Sequence, residues 1–423
     1  MMSEALIFLS MVAIFAILAM IMRLPIGVSL ALSALAGAVL AGEGIPLRHL
    51  VEGSFGYFDT ILIIACAMIF MKVLEASGIL DTITSLLLQT FYKRKFPLLL
   101  TVMLIVMFPG MITGSSTAAV LSTGALVAPV LMKLGLSRVK TAALIAMGGI
   151  LGMLAPPVNI LVMIMGGGVD MPYVGLTIPL LIIVVPLALI FPLILGYRDI
   201  RTIKYEEMRS ILPRSYASEY GFRLYLPVLL VLGLMLAQGV LIKILPDIGI
   251  PAIFMLGSLA GLFVGRKFNF FKVTQGAIKE AMPILSILAG VGMFIQIMTL
   301  TGGRGWTVMS FLSLPPVLLY LGIGTSMPLF GAVSAYGSAS ILGVPFILAM
   351  INKNAIITSS ALSAIAGLGD LMPPTALAGI FAAQVVGEKN YFKVLKHCII
   401  PALLQLAMGI SVLLLAAQLD KII

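Results

Sequence analysis

Charge is what this sequence has least of. Asp, Glu, Lys and Arg make up 10% of the 423 residues, against roughly a quarter in soluble domains. With 61% of the chain hydrophobic, that shortage excludes a soluble enzyme or a soluble binding module. The longest polar stretch is only 198–223, so no soluble domain can be cut out of it. Cysteine is nearly absent. Cys66 and Cys398 both sit in apolar runs and read as small core residues, which excludes a disulfide framework. The two histidines, His49 and His397, fall in a loop and at a membrane edge and form no cluster, so no transition-metal site is expected. A phosphate-cradling glycine loop ending in lysine is also missing, which argues against an ATP-driven pump.

What the chain has instead is apolar runs of about 20 residues, the length that crosses a bilayer, repeated from end to end. The expected spans are residues 5–22, 24–40, 57–73, 141–165, 174–195, 224–241, 250–264, 283–300, 355–386 and 398–417. The opening run lacks a preceding basic region and a following small-residue cleavage site, so it reads as the first helix rather than a signal peptide. Two regions, 97–132 and 314–350, are too long for one helix, and each carries a polar Gly-Ser interruption near its middle: MITGSST (111–117) and GAVSAYGSAS (331–340). Irregular polar backbone at membrane depth is tolerated only where protein or a wet cavity satisfies it. Both regions are therefore expected to be hairpins that enter, turn at the break and leave by the same side. Amphipathic stretches at 79–90 and 270–281 are expected to lie in the interface before each hairpin.

The formal net charge of +10 marks inner loops, and no nucleic-acid partner is expected. With the N-terminus outside, the inner loops hold Arg23, the Lys93-Arg94-Lys95 cluster, Lys133, Arg138, Lys140, Lys204 and most other cations. The outer side keeps Arg48, Lys243, Arg304, Lys353 and Lys421. The first hairpin then opens to the cytoplasm and the second to the outside.

The two halves resemble each other. FPGMITGSSTAAVLSTGALVAPVLMK and ALIAMGGILGMLAPPVNILVMIMG answer to MPLFGAVSAYGSASILGVPFILAM and ALSAIAGLGDLMPPTALAGIFAAQ. A shift of 217 positions lays Gly114 on Gly331, Gly152 on Gly369 and Pro156-Pro157 on Pro373-Pro374. Repeats that open to opposite sides, with paired broken helices, are the signature of secondary transporters whose site lies at the repeat interface. Tips and Pro-Pro breaks leave carbonyls without helical partners. Together with hydroxyls they make an oxygen cage for a small hard cation such as Na⁺, while half-helix N-termini suit a carboxylate.

At these residues the chain resembles a family. The stretches MRLPIGVSLALSALAG, PGMITGSSTAAVLSTGALVAPVLMKLG, LAPPVNILVMIMG and LMPPTALAGIFAAQ are similar to the large membrane subunit of tripartite ATP-independent periplasmic (TRAP) transporters, over essentially the whole chain. The resemblance implies an all-α, multi-pass inner-membrane protein of the ion transporter superfamily: an inverted-repeat, elevator-type permease with two re-entrant hairpins and two Pro-Pro-broken helices. It also implies a sodium gradient as driving force, a small four-helix membrane subunit, a periplasmic substrate-binding protein, and organic-acid cargo such as a C4-dicarboxylate or a sugar acid. The first cation site would take Gly114, Ser115, Ser116, Gly152, Ala155, Pro156 and Asn159. The second would take Gly331, Ser334, Gly369, Met372, Pro373 and Thr375. Thr117 and Asp370 would serve substrate or coupling. No other cofactor is implied, and H⁺ is an alternative coupling ion. The corresponding division is 1–96 scaffold with the first interfacial helix, 97–170 first transport repeat, 171–304 scaffold with the cytoplasmic loop and second interfacial helix, 305–388 second transport repeat, and 389–423 C-terminal helix.

The chain departs from the family where an aspartate commonly follows the first tip and Ala119 stands. A second departure is near the other tip, at Ser334 and Ala335, and a third is Asp370, where an aliphatic residue is usual. Asp370 is the sharpest single candidate, because an ionisable group inside a membrane segment is costly. Its plainer role is to cap the half-helix beginning at Pro373. Ser115, Ser116 and Thr117 suit helix capping as well as ion binding, Asn159 suits a hydrogen bond across helices, and Tyr336 suits packing. An organic-anion symporter that works without a binding protein is the alternative. An intramembrane enzyme is disfavoured because neither histidine falls at membrane depth.

Overall fold

A chain this apolar satisfies its backbone in lipid by forming helices, and no strand occurs among the described residues. The structure, a computed structural model, describes residues 3–201, 205–240 and 248–422. The expectations for Lys204 and Lys243, and for the last residue of the 224–241 span, fall outside them.

The first half runs through α1 (Glu4–Ala16, prolonged by a π-helical turn at Ile17–Ile21), α2 (Ile26–Ala41), α3 (Leu47–Phe55) and α4 (Phe58–Ala76). Helices α3 and α4 meet at a 45° bend. After α5 (Ile79–Phe91) comes a helical hairpin of α6 (Lys95–Thr113), α7 (Ser116–Ala119), a π-helical turn at Val120–Gly124 and α8 (Ala125–Lys133). Helix α9 (Arg138–Leu154) stops at Pro156-Pro157, α10 (Ile160–Gly168) resumes, and α11 (Thr177–Leu195) closes the half. The polar segment carries α12 (Tyr205–Arg209) and α13 (Ala217–Tyr220).

The second half repeats the plan. Helices α14 (Leu226–Val240), α15 (Ile250–Leu262), α16 (Phe270–Leu300) and α17 (Gly303–Leu312) lead to a second hairpin. It is built from α18 (Pro316–Gly331), α19 (Ala335–Ser338), a π-helical turn at Ala339–Gly343 and α20 (Val344–Ala349). Helix α21 (Ala355–Gly367) tightens into a 3₁₀ turn at Leu368–Leu371 before Pro373-Pro374. Then come α22 (Leu377–Val385), α23 (Tyr391–Leu414) and α24 (Ala416–Leu419).

Packing sorts these helices into two groups. Helix α16 lies against α2, α3 and α4, α15 against α4 and α14, and α1 against α2. The hairpins and broken helices form the other group, and α11 and α23 belong with them by contact: α11 packs on α6, α9 and α21, and α23 packs on α21, α9 and α22. Both follow a broken helix, so each half contributes an equivalent helix to this group. Helices α5 and α17 sit at the seam, α5 against α4 and α6, α17 against α16 and α20.

The stretch 270–281 is not a separate helix as the sequence suggests. Residues 270–281 are continuous with 283–300 in the 31-residue α16, which runs through Pro283. Proline is tolerated in membrane helices because neighbouring groups re-satisfy the freed carbonyl. The counterpart of α5 is α17, and the match extends to its entry. Both follow a glycine in left-handed conformation, Gly78 (φ 78°) and Gly302 (φ 77°).

Candidate functional site

Each half builds its tip and break in the same way. At the first tip Gly114 ends α6 with φ 64°, and Ser115 caps α7 as its Oγ accepts from the Ala118 N–H at 3.3 Å. At the second, the Ser334 Oγ accepts from the Gly337 N–H at 3.1 Å and caps α19. Serine at these starts supplies an acceptor to amide groups that have no helical partner. The end of each first limb then grips the break of its own half. The Met111 carbonyl accepts from the Val158 N–H at 3.2 Å. The Ala332 carbonyl accepts from the Thr375 N–H at 3.3 Å and from Thr375 Oγ1 at 2.8 Å.

Glycine permits this grip. A Cβ on Gly110 would stand 2.8 Å from the Gly152 carbonyl carbon, and a Cβ on Gly331 would stand 2.6 Å from the Gly369 Cα. This packing corrects the alignment of the halves. Gly110, not Gly114, is the partner of Gly331, and Ser115, which a shift of 217 lays on Ala332, answers through its capping role to Ser334. The first tip therefore carries two more residues between its packing glycine and its capping serine. Gly114 abuts Ile160 and Val158 instead.

Within each break the agreement is close. The Ala155 N–H bonds to the Gly152 carbonyl at 3.2 Å, and the Met372 N–H to the Gly369 carbonyl at 2.9 Å. The Pro156-Pro157 and Pro373-Pro374 bonds are both cis. The carbonyls of Pro156 and Pro373 accept no hydrogen bond among the described residues. The half-helices start differently. Asn159 caps α10, its Oδ1 accepting from the Val162 N–H at 3.1 Å, whereas Ala376 opens α22 in left-handed conformation with φ 37°.

Two tyrosines that sequence reasoning passed over hold these breaks. The Tyr173 hydroxyl donates to the Pro157 carbonyl (3.1 Å) and accepts from the Asn159 N–H (2.8 Å). The Tyr391 hydroxyl donates to the Leu371 carbonyl. The signal was present: each tyrosine follows its half-helix, and the two lie 218 positions apart, close to the shift of the breaks.

The halves also interlock. Helix α10 packs against α21, α19 and the π-helical turn of the second hairpin, while α22 packs against α9, α7 and the π-helical turn of the first. Side-chain hydrogen bonds cross the junction. Ser116 donates its hydroxyl proton to the Asp370 carboxylate. The Tyr336 hydroxyl donates to the Gly114 carbonyl at 3.3 Å, and Asn159 Nδ2 donates to Ser363 Oγ at 3.1 Å. Ser116 and Asp370 are 2% and 5% exposed, so this cluster is closed to bulk solvent. Thr117, in the same turn as Ser116, is half-buried and makes no side-chain hydrogen bond among the described residues.

Asp370 does not cap the half-helix; its bond reaches the opposite repeat. It takes part in no ion pair among the described residues, where the cations so engaged are Arg48, His49, Lys72, Lys140 and Arg214. A buried carboxylate without a counter-charge is costly, and a hydroxyl donor compensates only part of that cost. The centre of the molecule therefore combines hydroxyls, free carbonyls and one uncompensated acid, a donor set suited to a hard monovalent cation. No group of three or more His, Cys, Asp or Glu side chains gathers among the described residues.

Residues 12–357 match the family model described as "Tripartite ATP-independent periplasmic transporter, DctM component". By structure the chain is similar to the Alcanivorax borkumensis YdaH transporter, described as having an unusual topology. That match has a TM-score of 0.60 and 15% identity, covering 87% of this chain and 88% of that one. It is also similar to Neisseria gonorrhoeae MtrF, described as illuminating a class of antimetabolite efflux pumps. Here the TM-score is 0.55 and the identity 16%, covering 87% and 83%. No curated protein matches the chain by sequence.

Proposed function

Because the chain belongs to the DctM component family of tripartite ATP-independent periplasmic transporters, a family of multi-pass inner-membrane proteins, we propose that it imports an organic anion by sodium-coupled alternating access. The cargo is a carboxylate delivered by a periplasmic binding protein, and a small four-helix membrane subunit completes the assembly. The hairpins are re-entrant, the first opening to the cytoplasm and the second to the periplasm, and the N-terminus is periplasmic.

The observation that carries this reading is the reciprocal interlock of the two halves: α10 in the second hairpin and α22 in the first. Hairpins and broken helices joined this way make one body, with α11 and α23 attached, that slides against the layer of α1 to α4 and α14 to α16. One Na⁺ sits at the first tip, among Gly114, Ser115, Ser116 and the break from Gly152 to Asn159. A second sits at Ser334 and Gly331 with Gly369, Met372, Pro373 and Thr375. The Pro156 and Pro373 carbonyls, which accept no hydrogen bond among the described residues, are the natural backbone ligands. Their partial charge is offset by the ion, and the ions in turn offset the charge of an anionic cargo.

Uptake of labelled organic acids into proteoliposomes tests this, with and without an inward Na⁺ gradient. The expected result is no uptake by the chain alone and sodium-driven uptake once the membrane subunit and loaded binding protein are added. Sodium-driven uptake by the chain alone would make it a self-sufficient symporter. Uptake that follows a pH gradient and ignores Na⁺ would replace sodium with H⁺ as the coupling ion.

A further inference from the structure

We infer that the two cation sites bind cooperatively, and that Tyr336 and Asp370 carry the coupling between them. This rests on the two-site sodium reading above and adds a dependence between the sites.

Tyr336 lies in the first turn of α19, the turn capped by Ser334 of the second site. Its hydroxyl ends on the carbonyl of Gly114, the residue that closes the first tip. Asp370 makes a second link to the same tip. It lies beside Gly369 and two residues before Met372, both of the second site, and its carboxylate accepts from Ser116 of the first. Two residues of the second half, one from its tip and one from its break, thus meet the first tip at neighbouring positions.

The chemistry of the Ser116 link has a direction. A hydroxyl that donates its one proton to a carboxylate presents lone pairs to anything else it meets. Ser116 therefore offers an oxygen to a cation with the charge of Asp370 one bond behind it. A cation at the first tip compensates an acid that belongs to the second half and is otherwise buried without a counter-charge. At Gly114 the link is positional, because Tyr336 donates to the carbonyl of the residue that sets the turn.

Ordering either tip consequently orders the residues on which the other site is built. Binding at one site lowers the ordering cost at the second, which is positive cooperativity without a new contact between the ions. By thermodynamic necessity the effect is reciprocal. Tyr336 acts here as a positioning residue: it is not among the proposed ligands, and phenylalanine keeps its shape.

Equilibrium binding of ²²Na⁺ to the purified full-length chain in lipid nanodiscs, titrated with NaCl, tests the inference. The wild type should bind with a Hill coefficient above 1. Tyr336→Phe should bring that coefficient to 1 and raise the half-saturating Na⁺ about 5- to 10-fold, the lower end of ordinary coupling strengths. Asp370→Asn should do the same, and it decides the matter if Tyr336→Phe does not fold by size-exclusion chromatography. A coefficient of 1 in the wild type, or an unchanged coefficient in the variants, overturns the inference while leaving sodium binding intact. No saturable ²²Na⁺ binding by the wild type overturns the sodium reading itself, and the cooperativity with it.

Discussion

At the scale of single residues, the junction depends on side chains that do two things at once. Asn159 caps α10 through Oδ1 and reaches Leu154 O (3.0 Å) and Ser363 Oγ (3.1 Å) through Nδ2. Asn159→Asp keeps the acceptor and loses both donor bonds, whereas Asn159→Ala loses all three. Asp also buries a carboxylate without a counter-charge against the Leu154 carbonyl, so both variants should melt below wild type, and loss of the cap alone is worth about 0.5–2 kcal/mol. Differential scanning fluorimetry in detergent reads both shifts, and an Ala variant as stable as wild type would contradict the role of Asn159 in holding α10. Gly369 offers a steric test. A Cβ there would lie 2.5 Å from the Gly331 Cα, so Gly369→Ala must push α18 away from the break. Overpacking of this kind costs about 1–3 kcal/mol. A melting temperature equal to wild type would mean that the limb and break are not locked together.

At the scale of elements, each broken helix is held by a neighbour rather than by its own hydrogen bonds. Proline cannot donate, and the residues around a Pro-Pro pair lose their helical partners. Tyr173 and Tyr391 supply part of what is missing. Tyr173→Phe leaves the Pro157 carbonyl and the Asn159 amide without the hydroxyl that serves both. An unsatisfied buried group costs about 1–3 kcal/mol. Tyr391→Phe frees one carbonyl, and Tyr391 is only half-buried, so water can replace it at lower cost. The melting temperature should therefore fall further for Tyr173→Phe than for Tyr391→Phe. The reverse ranking would show that the second break is the more tightly held.

At the scale of the whole molecule, two donors cross the seam onto one short helix. The Tyr57 hydroxyl, at the start of α4, bonds the Ile164 carbonyl at 2.8 Å. Arg304, in α17, bonds the Gly168 carbonyl at 2.6 Å, where a cation also suits the C-terminal end of α10. If the hairpin body slides, both contacts must break. A Tyr57→Cys/Gly167→Cys pair, in a background without Cys66 and Cys398, brackets this contact, since a Cβ on Gly167 would stand 2.7 Å from the Tyr57 ring. Bridging the pair with Hg²⁺ should abolish sodium-driven uptake in proteoliposomes, and a thiol reductant should restore it. Full uptake with the bridge complete would mean that the bodies do not move against each other.

Much of this was determined by the sequence alone, for local reasons. Apolar runs dictate helices in lipid, Pro-Pro pairs dictate breaks, and Gly-Ser stretches dictate turns, so the hairpins, both broken helices and the repeat were legible in one dimension. Family membership was legible too, through the order of those features. The sequence misled where a local signal admitted two outcomes. An amphipathic stretch before Pro283 reads as a separate helix, but α16 continues through that proline, and the shorter α17 is the helix that precedes the second hairpin. Glycine spacing matched Gly114 to Gly331, yet which glycine meets a neighbouring backbone is decided by helix contact, and that glycine is Gly110. The bonds of the junction span 254, 222 and 204 positions, for Ser116 to Asp370, Tyr336 to Gly114 and Asn159 to Ser363. No periodicity or propensity encodes pairings at that range. They exist because the two halves fold into each other, and only the tertiary structure could bring them together.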